Sequence, residues 1–290
     1  RGSAIISASL TDLAVAYMIL TGRQIWQGQY DATDNNRRDV TIPIPLGRSL
    51  YNRAECFPAT RKGELQLQIT SGAAVAGLDT LVIEVETVEL VDASPTQYLK
   101  MTTATKTPSA VQEEDLDLPI GNIVAGVLLF GTTAPNAGGV AATSFSIQDI
   151  QMLVNNQQKY FPRSDYEALH GALTNRLDPL IHNSHSHPLH RTTAAGTAPQ
   201  AYSVADGVAG EITAGVGATG AASNVTSRLS GNLDQVVADD FMENYIFLDM
   251  DPTGDLSFSQ ETQGLNRFHL RINHGVVDSI RAIPIELVRL

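Results

Sequence analysis

The chain of 290 residues is long enough for two domains with cores of their own, carries a formal net charge of −12, and is only 17% charged. That balance excludes a general nucleic-acid binder, which needs clustered Lys and Arg; Arg37-Arg38 and Arg61-Lys62 are isolated pairs. The single cysteine, Cys56, excludes an internal disulfide, and no apolar run reaches the roughly 18 residues of a spanning helix.

The chain opens at Arg1 without an initiator Met or a signal peptide, which predicts a processed or missing N-terminal segment. Leu13–Leu20, closed by Gly22, reads as a first strand, and Gln24–Gln29, with the one Trp, as a second. After the polar turn Asp31–Asp39, Val40–Leu46 reads as an edge strand, since Pro43 and Pro45 cannot donate to a ladder. Leu65–Ile69 and Leu81–Leu90 read as further strands, with Glu84, Glu86 and Glu89 on a solvated face.

Residues 94–118, with Pro95, Pro108 and the acidic run Glu113–Asp117, read as a linker with solvated charge. Strands are then expected at Ile120–Phe130 and Ser144–Val154. Ser164-Asp165-Tyr166-Glu167 fits a capping box, and Tyr166, Leu169, Leu173 and Leu177 follow at helical spacing, which predicts a helix. From Asp178 to about Ser230 the chain changes character: four histidines are followed by an Ala/Gly/Thr-rich stretch without periodicity, Ala194–Ala222, and the whole reads as an insertion suited to a functional or subunit-contacting loop. Strands resume at Tyr245–Met250, Leu256–Ser259, Phe268–Ile272 and Ile280–Leu290.

The end of the chain echoes an earlier stretch: Ile83, Glu86, Val88 and Leu90 recur as Ile283, Glu286, Val288 and Leu290, each following a strand and a Gly-containing loop. Such a repeat suggests tandem β-domains, an architecture used mainly for construction. The expected division is 1–93 for a first domain, 94–118 for the linker, and 119–290 for a second domain interrupted by the insertion at 178–230.

Few residues point to chemistry. His182, His185, His187 and His190 have a spacing that can hold a transition metal, but Pro188 and the loop setting favour surface or interface histidines, so no metal and no cofactor are expected. Asp251–Asp255 resembles a calcium loop but lacks its later ligands, and reads as a turn between strands. Asn224-Val225-Thr226 fits a glycosylation acceptor with no sign of secretion, and Gly215–Gly220 lacks the strand and helix of a dinucleotide fingerprint. No nucleophile elbow is present, and no catalytic residue is expected.

The terminal strand pair Phe268–Ile272 and Ile280–Leu290, the strand-then-helix element Ser144–Leu177, and the loop from Phe247-Leu248-Asp249 to Leu265–Phe268 together resemble the double jelly-roll major capsid proteins of tailless, internal-membrane-containing icosahedral viruses. That lineage includes the adenovirus hexon, tectiviruses and corticoviruses. The resemblance implies an all-β fold of two tandem eight-stranded antiparallel jelly-roll barrels, with a short helix and a long inserted loop in the second. It implies a non-enzymatic subunit that assembles as pseudo-hexameric homotrimers into a virion shell after synthesis in host cytoplasm. Its partners would be copies of itself, an internal lipid membrane, and minor or vertex capsid proteins, with no direct nucleic-acid contact. The chain departs from the pattern in having only about ten residues before Leu13. The competing reading is a carbohydrate- or receptor-binding β-sandwich of a phage or adhesin type, for which 6% aromatic residues is a poor supply of stacking platforms. A β-rich hydrolase is the third.

Overall fold

The computed structural model describes residues 4–23, 25–27, 40–61, 64–71, 82–131, 133–135, 142–181, 185–187, 233–235 and 244–290. The chain divides into two units, Arg1–Leu180 with Phe241–Leu290, and Ile181–Asp240.

Within the first unit, eight strand positions run in chain order. They are β4 (Gln97–Thr102, extended by β5, Ala104–Lys106), β6 (Glu113–Asp117), β7 (Ile123–Phe130) and β10 (Ile147–Val154). The short β11 (Gln157–Gln158) and β12 (Ser164–Asp165) follow, then β15 (Tyr245–Asp249), β17 (Phe268–His274) and β18 (Ile280–Arg289). Counted as one to eight, with β11 and β12 sharing the fifth place, the first pairs with the eighth, the second with the seventh, the third with the sixth and the fourth with the fifth. The eighth also pairs with the third and the seventh with the fourth. A long hairpin folded and rolled in this way is a jelly roll, whose two sheets leave few free edges. The larger sheet has the order β1-β4-β18-β7-β15, where β1 is Ile6–Ser7, and the smaller has β11-β10-β17-β6.

The core lies between the sheets. Val127 and Leu129 of β7, Ile246 and Leu248 of β15, and Ala282 of β18 face Ile150 and Met152 of β10 and Leu270 and Ile272 of β17. The hairpin between β10 and β11 turns on Asn155 and Asn156, both at positive φ (50° and 62°), the conformation of a type I′ turn. Helix α2 (Tyr166–Ile181) follows at the expected place, burying Tyr166, Leu169, Leu173 and Leu177. Ser164 itself belongs to β12, so the helix begins two residues after the expected cap.

Several expectations are corrected. Residues 94–118 are not a linker; they supply β4, β5 and β6, the first strands of the roll. The acidic run is paired: Asp115 stands opposite Arg271 in the ladder and Asp117 accepts from Arg267 Nε at 2.7 Å, and opposite charges on neighbouring strands attract. Leu13–Leu20 is not a strand but the body of helix α1 (Leu10–Thr21). Ser9 and Asp12 form its capping box and Gly22, at φ 62°, closes it by donating its N–H to the Met18 carbonyl. The helix is buried from Asp12 through Ile19, so no polar face marks its period.

Leu65–Ile69 and the described part of Leu81–Leu90 (Leu81 lies outside the described residues) join no ladder, and their apolar side chains are exposed, Val82 by 76% and Val88 by 72%. The Pro-containing edge strand shrinks to β3 (Val40–Thr41), paired with β2 (Trp26–Gln27). Leu256–Ser259 is a turn followed by β16 (Gln260–Glu261). Among the described residues one roll is complete; those before residue 94 contribute α1 and three two-residue strands.

Gly126 of β7 sits where a Cβ would lie 2.4 Å from the Phe247 ring. Gly126→Ala should therefore lower stability by about 1–3 kcal/mol, read as a drop in the urea midpoint; an unchanged midpoint would show that the ring can yield.

Candidate assembly surface

Among the described residues no group of three His, Cys, Asp or Glu side chains is placed to hold a metal ion. Of the four histidines singled out by spacing, His182 and His190 lie outside the described residues. His185 and His187 occupy alternate positions on β13 (His185–His187), which pairs with β14 (Leu233–Gln235) in the second unit. Ala194–Ala222, Gly215–Gly220 and Asn224–Thr226 also lie outside the described residues.

The structure instead shows how the N-terminal segment is clasped to the roll. On the outer face of the larger sheet Tyr245, Phe130 and Arg281 stand side by side, since Phe130 pairs with both others across adjacent strands. Arg281 lies 3.9 Å over the Phe130 ring, and the Phe130 and Tyr245 rings meet edge-on at 5.1 Å. Asp12 of α1 caps this row. It accepts from the Tyr245 hydroxyl at 2.6 Å and from Arg281 Nη2 at 2.9 Å and Nε at 3.2 Å.

Burial alone would raise the Asp12 pKa. The hydrogen bonds from Arg281, Tyr245 and Ser9, with the guanidinium charge, outweigh it and hold the carboxylate below its ordinary range. Burial and the adjacent Asp12 charge push the Tyr245 phenol upward, so it remains a donor. An open cleft of about 510 Å³ beside the clasp is lined by Ser7, Ser9, Thr11 and Thr103, but its two charged groups, Asp12 and Arg281, are already committed to each other.

A second clasp centres on Arg48. Its Nε donates to Glu55 at 2.9 Å and its Nη2 at 3.2 Å, while Nη1 reaches Asp251 and, at 3.1 Å, the Gly254 carbonyl. Glu55 is buried, so the forked guanidinium compensates a charge that water does not reach. This explains the Asp251–Asp255 segment. The Gly254 N–H donates to the Asp251 carbonyl, closing a turn with Pro252 at its second place. Its carboxylates accept from Arg48, Leu256, Thr253 and Ser257.

With the segment so held, the exposed apolar side chains that follow it are the surface feature left to explain. Leu65, Leu67 and Ile69 (42–55% exposed) and Val82, Ile83, Val85, Val88 and Val91 (48–76%) lie in two stretches of the same connection. Contiguous apolar exposure marks interaction surfaces, and these two stretches are the candidates for one among the described residues. The sequence repeat drew attention to these residues, but as strands of a core.

No protein-family model and no curated protein matches the chain. Among solved structures it is similar to the STIV MCP, at 7% identity and a TM-score of 0.35, over 67% of this chain and 42% of that one. It is also similar to the major capsid protein P2 from bacteriophage PM2, at 10% identity and a TM-score of 0.29, over 66% of this chain and 51% of that one. The chain thus spans about half or less of the structures it matches. The jelly-roll assignment rests on strand order.

Asp12→Ala strands the buried Tyr245 hydroxyl and frees Arg281, and should cost about 2–4 kcal/mol at neutral pH. Because the folded-state pKa of Asp12 is depressed, its contribution is complete above the ordinary carboxylate pKa of about 3.9 and is lost as pH falls below it. The difference between wild-type and variant urea midpoints should therefore narrow from pH 7 to about pH 3; a constant difference would remove the carboxylate charge from the account.

Proposed function

We propose that the chain is a structural subunit of a viral capsid that works by associating with copies of itself. The observation that carries this reading is the exposed apolar connection at 65–69 and 82–91 beside a roll whose own core is already filled. A roll with a complete core has no use for those side chains, whereas a second copy can bury them. Jelly rolls serve as capsid and lectin domains, and the two similar solved structures are major capsid proteins.

In its finer form the reading is a homotrimer that tiles an icosahedral shell, made in host cytoplasm and resident in the virion, with an internal membrane and minor or vertex proteins as further partners. Pseudo-sixfold trimers would need a second roll per subunit, and the described residues complete one. The alternative, a carbohydrate- or receptor-binding sandwich, predicts a monomer that binds glycans.

The purified chain should have a light-scattering mass of three times 31.1 kDa. A strict monomer at high concentration would sink the proposal, and a dimer would sink its trimeric form. Val85→Glu with Val88→Glu should abolish association while changing monomer stability by no more than about 0.5 kcal/mol per site, because both side chains are exposed.

A further inference from the structure

Two imidazoles on β17 are fully buried and have no hydrogen-bond partner on either ring nitrogen, His269 and His274. Their surroundings differ. His269 lies on the outer face of the smaller sheet, next to the charges that bind β6 to β17. Its Nε2 is 3.5 Å from Asp115 Oδ2, Asp117 stands opposite it, Leu153 flanks it on β10, and Arg267 and Arg271 sit on its own strand. Burial and Arg267 push this ring's pKa down, and the Asp115 and Asp117 carboxylates offset part of that.

His274 follows Phe268, Leu270 and Ile272 on the inner face, at the end of β17 where the strand leaves the ladder. Opposite it on β10 is Ile147, and the adjacent Ser146 carbonyl accepts from the Gly275 N–H at 3.2 Å. On its other side the His274 N–H donates to the Gln112 carbonyl at 3.2 Å. The charged groups that face it are Glu114 of β6 and Lys106 of β5. Glu114 is already engaged: it accepts from Lys106 Nζ at 2.9 Å, Gln112 Nε2 at 3.1 Å and the Ser109 N–H at 3.2 Å. These donors, Lys106 foremost, hold Glu114 at about 2, so it stays an occupied anion across the range in which a histidine titrates. Ser146 Oγ is likewise buried and unpartnered.

We propose that His274 is an acid-sensitive latch: neutral, it closes the end of the smaller sheet where β10, β17 and β6 meet, and protonated, it opens that end. A charge on this ring would be buried with only neutral Ser146 oxygens to accept from it, beside a lysine already paired with the one carboxylate that faces it among the described residues, and burial outweighs both Ser146 and Glu114. Burial is the main influence on the ring and pushes its pKa below the ordinary value. A histidine depressed in the folded state costs no stability above the unfolded pKa of about 6.5 and progressively more as pH falls from there to the folded pKa. The latch is a property of the folded roll and does not depend on assembly.

The test is urea unfolding of the full chain at about pH 7.5 and about pH 5, which bracket the ordinary imidazole pKa. The wild-type midpoint should fall with pH, and His274→Gln should remove at least half of that fall. His269→Gln should remove a smaller share, because burial and Arg267 push that ring's pKa down too but Asp115, 3.5 Å away, opposes them. A His274→Gln protein with the full wild-type fall overturns the proposal. Should that variant fail to fold, imidazole carbon NMR of the folded His269→Gln protein decides. Of the six remaining histidines, one should stay neutral well below pH 6.5; if all six titrate at or above about 6.5, the latch does not exist.

Discussion

A sheet whose central strands are apolar on both faces has to be covered twice, and this constraint organises the molecule. β7 is buried along seven of its eight residues and β18 along seven of ten. One face of these strands meets the smaller sheet in the core. The opposite face carries Ile283, Ile285 and Leu287, all fully or almost fully buried, and is where α1 makes its contact through Asp12. An isolated roll would leave that face wet, at a cost of about 25 cal/mol for each Å² of apolar surface. The N-terminal segment is therefore part of what lets the sheet exist.

Charge is used sparingly, and where it is buried it is answered. Asp12 meets Arg281, Glu55 meets Arg48, and Glu286 takes Lys100 at 3.2 Å and the Asn122 amide at 2.6 Å. Such pairs stabilise little relative to apolar contacts, but losing one partner is expensive, so they fix which segment lies against which. Two of them, Asp12 and Arg48, join the first sixty residues to loops and strands more than two hundred positions away. The exposed stretches 65–69 and 82–91 thus follow a segment that is anchored through Arg48 and Glu55.

The parts legible in the sequence were those whose pattern has one solution. Tyr166, Leu169, Leu173 and Leu177 have a helical period and one buried side, and α2 follows them. Ile123–Phe130 and Ile280–Arg289 have the length and β-branched content of buried strands. Leu13–Leu20 has no period, because α1 is buried on all sides; the deciding signals were at its ends, in Ser9, Asp12 and Gly22. Glu113–Asp117 looks solvated until its partners, Arg267 and Arg271, are placed beside it by a ladder spanning about 150 residues. Val82–Leu90 has a strand's alternation, but alternation describes only what a segment can do when an edge is available. The clasps were invisible for the same reason as the ladder: they join residues with no local relation.

The middle strand of the smaller sheet, β17, and the strand between β4 and β7 in the larger, β18, both come from residues 268–289. Each earlier strand of these two sheets pairs with one of these two or with a neighbour that does. A chain emerging from the ribosome therefore holds β4, β6, β7 and β10 without their mates for most of its synthesis, with apolar faces and ladder edges open. Few contacts are local, and closure of both sheets has to await residues 268–289, which makes folding slow and concentration-sensitive. Nascent chains held close together would therefore be at risk of pairing with each other before they pair with themselves.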